Sequence, residues 1–100
     1  IRSNTTTLST TSTTTIDSTT RQSLKILISI IDNVTGETHI VEALAMKKGT
    51  TAYLTTYAEL YSASALATFT ADVSAGALRI RATPASANST TFNFVRTSLD

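Results

Sequence analysis

Every second residue from Leu24 to Ile30 is Leu or Ile, a spacing that an extended strand can use and a helix cannot. Side chains alternate across a strand, so Leu24, Ile26, Ile28 and Ile30 line one face. Leu27 and Ile31 add apolar bulk to the other face, which predicts a central strand covered on both sides. Asp32-Asn33-Val34-Thr35-Gly36 supplies a turn. His39 to Lys47 then returns as a second strand. One of its faces carries Ile40, Glu42, Leu44 and Met46, and the other Val41, Ala43 and Ala45.

The same two-residue rhythm continues. Thr51 to Tyr57 reads as a third strand. Residues 58–67 have fair helix propensity, but the Thr and Tyr around them favour a strand. Phe69, Ala71 and Val73 alternate with Thr68, Thr70 and Asp72; Ser74-Ala75-Gly76 makes a tight turn; Leu78, Ile80 and Ala82 alternate with Arg79 and Arg81. Pro84 closes that strand because it has no N–H for the ladder. Thr91 to Ser98 is the last, with Phe92 and Phe94 facing one way. About seven strands joined by short turns predict an all-β fold, an antiparallel β-sandwich.

Ahead of this lies a Ser/Thr tract. Its low complexity fits a flexible arm or a glycosylated stalk. The β-branching of Thr fits an edge strand equally well. Thr5-Thr6-Thr7-Leu8 and Thr13-Thr14-Thr15-Ile16 suggest two short strands, or one exchanged with a neighbour. The expected division is therefore an extended Thr/Ser-rich arm or edge strands over residues 1–20 and a sandwich over 21–100. The chain begins with Ile1 and lacks a basic-then-apolar leader, as expected of a processed product or a segment of something longer.

Composition narrows the function classes. One hundred residues form one domain, which buries only about two-thirds of its unfolded surface; partner subunits are then an expected source of stability. A net charge of +1 with 15% charged residues is too balanced for a nucleic-acid or membrane-surface binder. There is no cysteine, which removes disulfides and thiolate metal sites. No apolar run approaches the roughly 18 residues that span a bilayer.

Candidate chemistry is sparse. His39 and Glu42 are three apart and so fall on opposite faces of a strand, and one imidazole does not make a zinc site. Asp32, Asn33, Thr35 and Glu37 form an oxygen-rich turn that lacks the ligand pattern of a calcium loop. No nucleophile elbow, phosphate loop or forced carboxylate pair is present, so neither catalysis nor a cofactor is expected. Asn4-Thr5-Thr6, Asn33-Val34-Thr35 and Asn88-Ser89-Thr90 match the N-glycosylation pattern, which matters only in a eukaryotic secretory protein.

Two surface features remain. Arg79 and Arg81 leave one strand on the same side, and Arg96 or Lys25 can join them in a patch suited to a partner's carboxylates. The alternative is a solvated, charged face. Tyr53, Tyr57 and Tyr61, spaced four apart, are either an aromatic platform for sugars or ordinary core and interface filler.

Three phrases carry a family resemblance: Gln22-Ser23-Leu24-Lys25-Ile26-Leu27-Ile28-Ser29-Ile30-Ile31-Asp32, Gly49-Thr50-Thr51-Ala52-Tyr53-Leu54-Thr55-Thr56-Tyr57-Ala58, and Leu66-Ala67-Thr68-Phe69-Thr70-Ala71-Asp72-Val73-Ser74-Ala75-Gly76-Ala77-Leu78-Arg79. With Ala82-Thr83-Pro84-Ala85 and Phe94-Val95-Arg96-Thr97, they resemble a β-rich module of tailed-bacteriophage virion structural proteins, of the marine and cyanophage type. The resemblance spans roughly residues 16–97. It departs from the pattern at Ala75, where a second glycine beside Gly76 is expected, which leaves the turn type open. It implies a non-enzymatic module on the virion surface or an appendage: a tail or neck fibre, or a capsid decoration. The expected partners are copies of the same chain, as a trimer, and other virion proteins. The alternative is a receptor- or glycan-binding module of a fibre, with a host surface glycan as ligand.

Overall fold

The computed structural model describes residues 2–99, so Ile1 and Asp100, the outer limits of the two expected segments, lie outside the described residues. Eight strands follow one another: β1 (Arg2–Leu8), β2 (Thr14–Thr19), β3 (Ser23–Asp32), β4 (Thr38–Lys48), β5 (Thr51–Tyr61), β6 (Ala67–Ser74), β7 (Ala77–Pro84) and β8 (Thr90–Ser98). They form a five-stranded sheet, β1-β8-β3-β4-β5, and a three-stranded sheet, β2-β7-β6, with every pairing antiparallel. This is the expected sandwich with one strand more than counted from sequence. Residues 58–61 continue β5, but 62–66 form the loop to β6, so the strand favoured over 58–67 is realised only at its two ends.

The Ser/Thr tract becomes two edge strands, one in each sheet. β1 pairs with β8, and β2 with β7, both within the chain. The last strand slots between the first and the third, so β1 has no ladder to join until β8 is in place.

The core sits between the sheets. Leu24, Ile26, Ile28 and Ile30 of β3, Phe92 and Phe94 of β8, and Leu78 and Ile80 of β7 are all 2% exposed or less. Phe69 of β6 meets Phe92 of β8 edge-on across the gap, with ring centroids 6.3 Å apart, a favoured aromatic geometry. The other face of β3 departs from expectation. Leu27 is 43% and Ile31 37% exposed, so this central strand is covered on one side only.

Two hairpin turns show how sequence sets register. Lys48 pairs with Thr51, leaving Gly49-Thr50 as a two-residue loop; Gly49, at φ 61°, occupies the first central position, as a type II′ turn demands. Ser74 pairs with Ala77, and the loop residues Ala75 and Gly76 have φ of 50° and 80°. Positive φ at both central positions is the requirement of a type I′ turn. Ala75 meets it against the crowding of its own Cβ, which costs about 1–2 kcal/mol. The Ala75→Gly variant is therefore expected to be more stable by about 1 kcal/mol, after allowing for the freer unfolded chain. Urea unfolding checks this; a lower midpoint for the variant would contradict the turn assignment.

Candidate functional site

The sequence-singled residues separate into three environments. Arg79 and Arg81 do leave β7 on the same side, the outer face of the three-stranded sheet. Asp72 of β6 stands directly opposite Arg79 and binds it through two hydrogen bonds, Nε to Oδ1 at 2.6 Å and Nη2 to Oδ2 at 2.5 Å. Arg81 approaches the same carboxylate at 3.7 Å and donates to the Thr13 carbonyl at 3.2 Å. The Arg79 hydrogen bonds, helped by the charge of both arginines, hold the Asp72 carboxyl below the usual carboxylate range; the same hydrogen bond raises Arg79. Thr68, Thr70 and Thr83 complete a polar face by strand alternation.

Arg96 does not join that patch. It follows Phe92 and Phe94 on the inner face of β8 and reaches across to Asp17 of β2, Nη1 to Oδ2 at 3.0 Å. Asp17 has a side chain only 1% exposed, and it also takes Arg2 Nε of β1 at 3.3 Å. A register shift between Thr15 and Asp17 brings both Ile16 and Asp17 into buried positions. The cluster thus ties both N-terminal strands to β8. Lys25 is equally remote from Arg79; it pairs with Glu42 on the outer face of the other sheet at 3.3 Å.

The three tyrosines are divided by a bulge. Pairing along β4 and β5 shifts between Ile40 and Glu42, and Ala58 adopts φ 52°. Tyr53 and Tyr57 consequently face outward, opposite Met46 and Glu42. Tyr61 instead pairs with His39 and packs edge-on against its ring at 5.4 Å. No single aromatic platform results.

His39 is buried, and Glu42 lies on the opposite face, as the spacing predicts. The carboxylate beside His39 is Glu59, Oε1 to Nε2 at 3.1 Å, brought there by the bulge. The Leu66 N–H donates to Nδ1 at 3.2 Å. A backbone donor at Nδ1 assigns the proton to Nε2, which donates to Glu59. The Nε2 proton is thus directed to Glu59 of β5, and the Nδ1 lone pair is taken by the N–H of Leu66, just before β6. Asp32 is likewise occupied: Oδ1 accepts from the Val34 and Thr35 N–H groups and Oδ2 from Asn88. The Asn88 bond and the backbone donors lower the Asp32 pKa. Asn33 donates to Ser89 and Thr91, and the Ser62 hydroxyl donates to Glu37. No cluster of three His, Cys, Asp or Glu able to hold a metal occurs among the described residues.

The largest feature is one that no motif announced. Leu27 and Ile31 of β3, with Ile40, Leu44 and Met46 of β4, emerge on the outer face of the five-stranded sheet. Tyr53, Tyr57 and Leu60 of β5 and Val95 of β8 continue it on either side. Part of this face, over Leu27, Ile40 and Val95 with Ser29 and Asn93, forms an open depression of about 490 Å³. The signal for it was present in the strand patterns, which are apolar on both faces.

No protein-family model matches this chain, and no curated protein matches it either. Among solved structures, the crystal structure of the Acinetobacter phage vB_ApiP_P1 tailspike protein is similar, with a TM-score of 0.58 and 14% identity. The similarity takes in 96% of this chain and 21% of the tailspike chain, so this chain spans about a fifth of that protein's length. At that identity, what is shared is the fold.

Two outcomes are expected. Arg96→Met leaves the buried Asp17 carboxylate short of its main partner and should cost about 3 kcal/mol. Arg79→Met, at a half-exposed pair screened by solvent, should cost clearly less. Urea denaturation separates the two; equal losses would contradict the assignment of Arg96 to the interior. Acid gives a second check. Asp32 and Asp72 are depressed in the folded state, so their contribution is complete above the unfolded aspartate value, about 4, and is lost as pH falls through the folded values. The melting temperature should decline below about pH 4, and Asp32→Asn should flatten that decline. An unchanged acid slope in the variant would rule out the Asp32 contribution.

Proposed function

We propose that this chain is a non-enzymatic structural module of a bacteriophage virion appendage, of the tail-fibre or tailspike kind, that works by assembling with copies of itself, as a trimer. The observation that carries the reading is the likeness of nearly the whole chain to a fifth of a phage tailspike. A module of that size is a building block within a larger particle component. The sequence resemblance to virion structural proteins points the same way.

The chemistry of the molecule supports assembly over catalysis. The sole imidazole is held at both nitrogens, and Asp32, Asp72 and Asp17 are each committed to internal partners. It also supports assembly over glycan recognition. Tyr61 is turned away from Tyr53 and Tyr57, and Glu42 opposite Tyr57 is taken by Lys25.

The test is where the chain resides in a phage-producing culture. It should co-sediment with particles through a density gradient, and an antibody against it should label an appendage in negative-stain images. Recovery only in the particle-free lysate would refute the reading.

A further inference from the structure

We infer that the outer face of the five-stranded sheet is the surface through which copies of this chain meet. The inference rests on the assembly reading above and names its interface. The two sheets provide an internal comparison. The outer face of the three-stranded sheet carries Thr68, Thr70, Asp72, Arg79 and Arg81, as a face made for water should. The outer face of the five-stranded sheet carries nine large apolar side chains, each 37–72% exposed.

β4 makes the asymmetry sharpest. Its inner face holds Val41, Ala43 and Ala45, and its outer face the larger Ile40, Leu44 and Met46. A sandwich closing over its own core alone has no use for the larger residues outside. At roughly 200 Å² for a fully exposed residue of this size, the nine leave roughly 800 Å² of surface in water. That is of the order of the largest apolar patch of a typical monomer, about 300–600 Å², and of what one partner contributes to an interface of standard size, about 800 Å².

The occupant is another copy of this chain, because the area suffices for a stable contact and the charge is self-complementary. Lys25 and Glu42 are the charged pair inside the apolar field, one of each sign, 3.3 Å apart, and Lys48 stands on the same face at the end of β4. When such a face meets its own kind, each Lys25 has a second carboxylate to approach and each Glu42 a second lysine. That pair buries no net charge. A strongly charged partner would find little here to pair with. The near-neutral chain, at +1, adds little repulsion between copies.

The experiment uses the whole chain and two double variants, with mass read by light scattering after size-exclusion chromatography. Leu27→Lys with Leu44→Lys places charge on the apolar face; Thr68→Lys with Thr70→Lys places the same charge on the polar face. All four positions are partly or largely exposed, and circular dichroism monitors folding. The wild type and the polar-face variant should have the mass of several chains, and the apolar-face variant, with unchanged dichroism, the mass of one. If the apolar-face variant keeps the wild-type mass, the interface is elsewhere and the assembly reading stands. If the wild type itself stays at the mass of one chain up to millimolar concentration, self-assembly fails, this inference falls with it, and the face belongs to a different protein.

Discussion

The structure depends on β3 being paired on both sides while only one of its faces is enclosed. Its ladder runs to β4 on one edge and to β8 on the other. Backbone polar groups along its length are therefore satisfied without water, a condition for burying Ile26, Ile28 and Ile30 completely. Everything else is placed relative to that strand. β8 carries Phe92 and Phe94 inward beside it, β1 can pair only against β8, and the three-stranded sheet lays Leu78 and Ile80 over the result. Such long-range pairing makes folding a late, cooperative event, because loop closure precedes most of the contacts that reward it.

Polar side chains then fasten the layers. His39 at one end of β4 accepts the Leu66 N–H from the loop entering β6, and Lys47 at the other end donates to the Gly76 carbonyl in the β6–β7 turn. Asp17, between Arg96 and Arg2, links the two N-terminal strands to the last one. These ties account for most of the residues that carry chemistry in other settings.

Much of this was written in the sequence. Alternation over residues 24–30, 69–73 and 78–82 is a local property of the strand, and it located the core directly. What was not legible came from contacts between distant residues. Arg96 and Asp17 are 79 positions apart, and nothing in either segment reports that they meet. The bulge that separates Tyr61 from Tyr53 and Tyr57 hinges on Ala58 in a left-handed conformation that alanine disfavours, so its side chain gives no warning. The two-sided apolar pattern of β3 and β4 was legible, but it says only that both faces need cover. It does not say which molecule provides it.

That last point is the centre of the account: one face of the five-stranded sheet is enclosed by its own chain, and we propose that neighbouring copies enclose the other. The most direct measurement is an experimental structure of the assembled protein. Leu44, Met46 and Tyr53, each nearly half exposed in the single chain, are expected to be buried there against the same sheet of another copy. An assembly in which these three side chains remain in solvent, while copies touch through the arginine-bearing sheet or the edge strands, would contradict it.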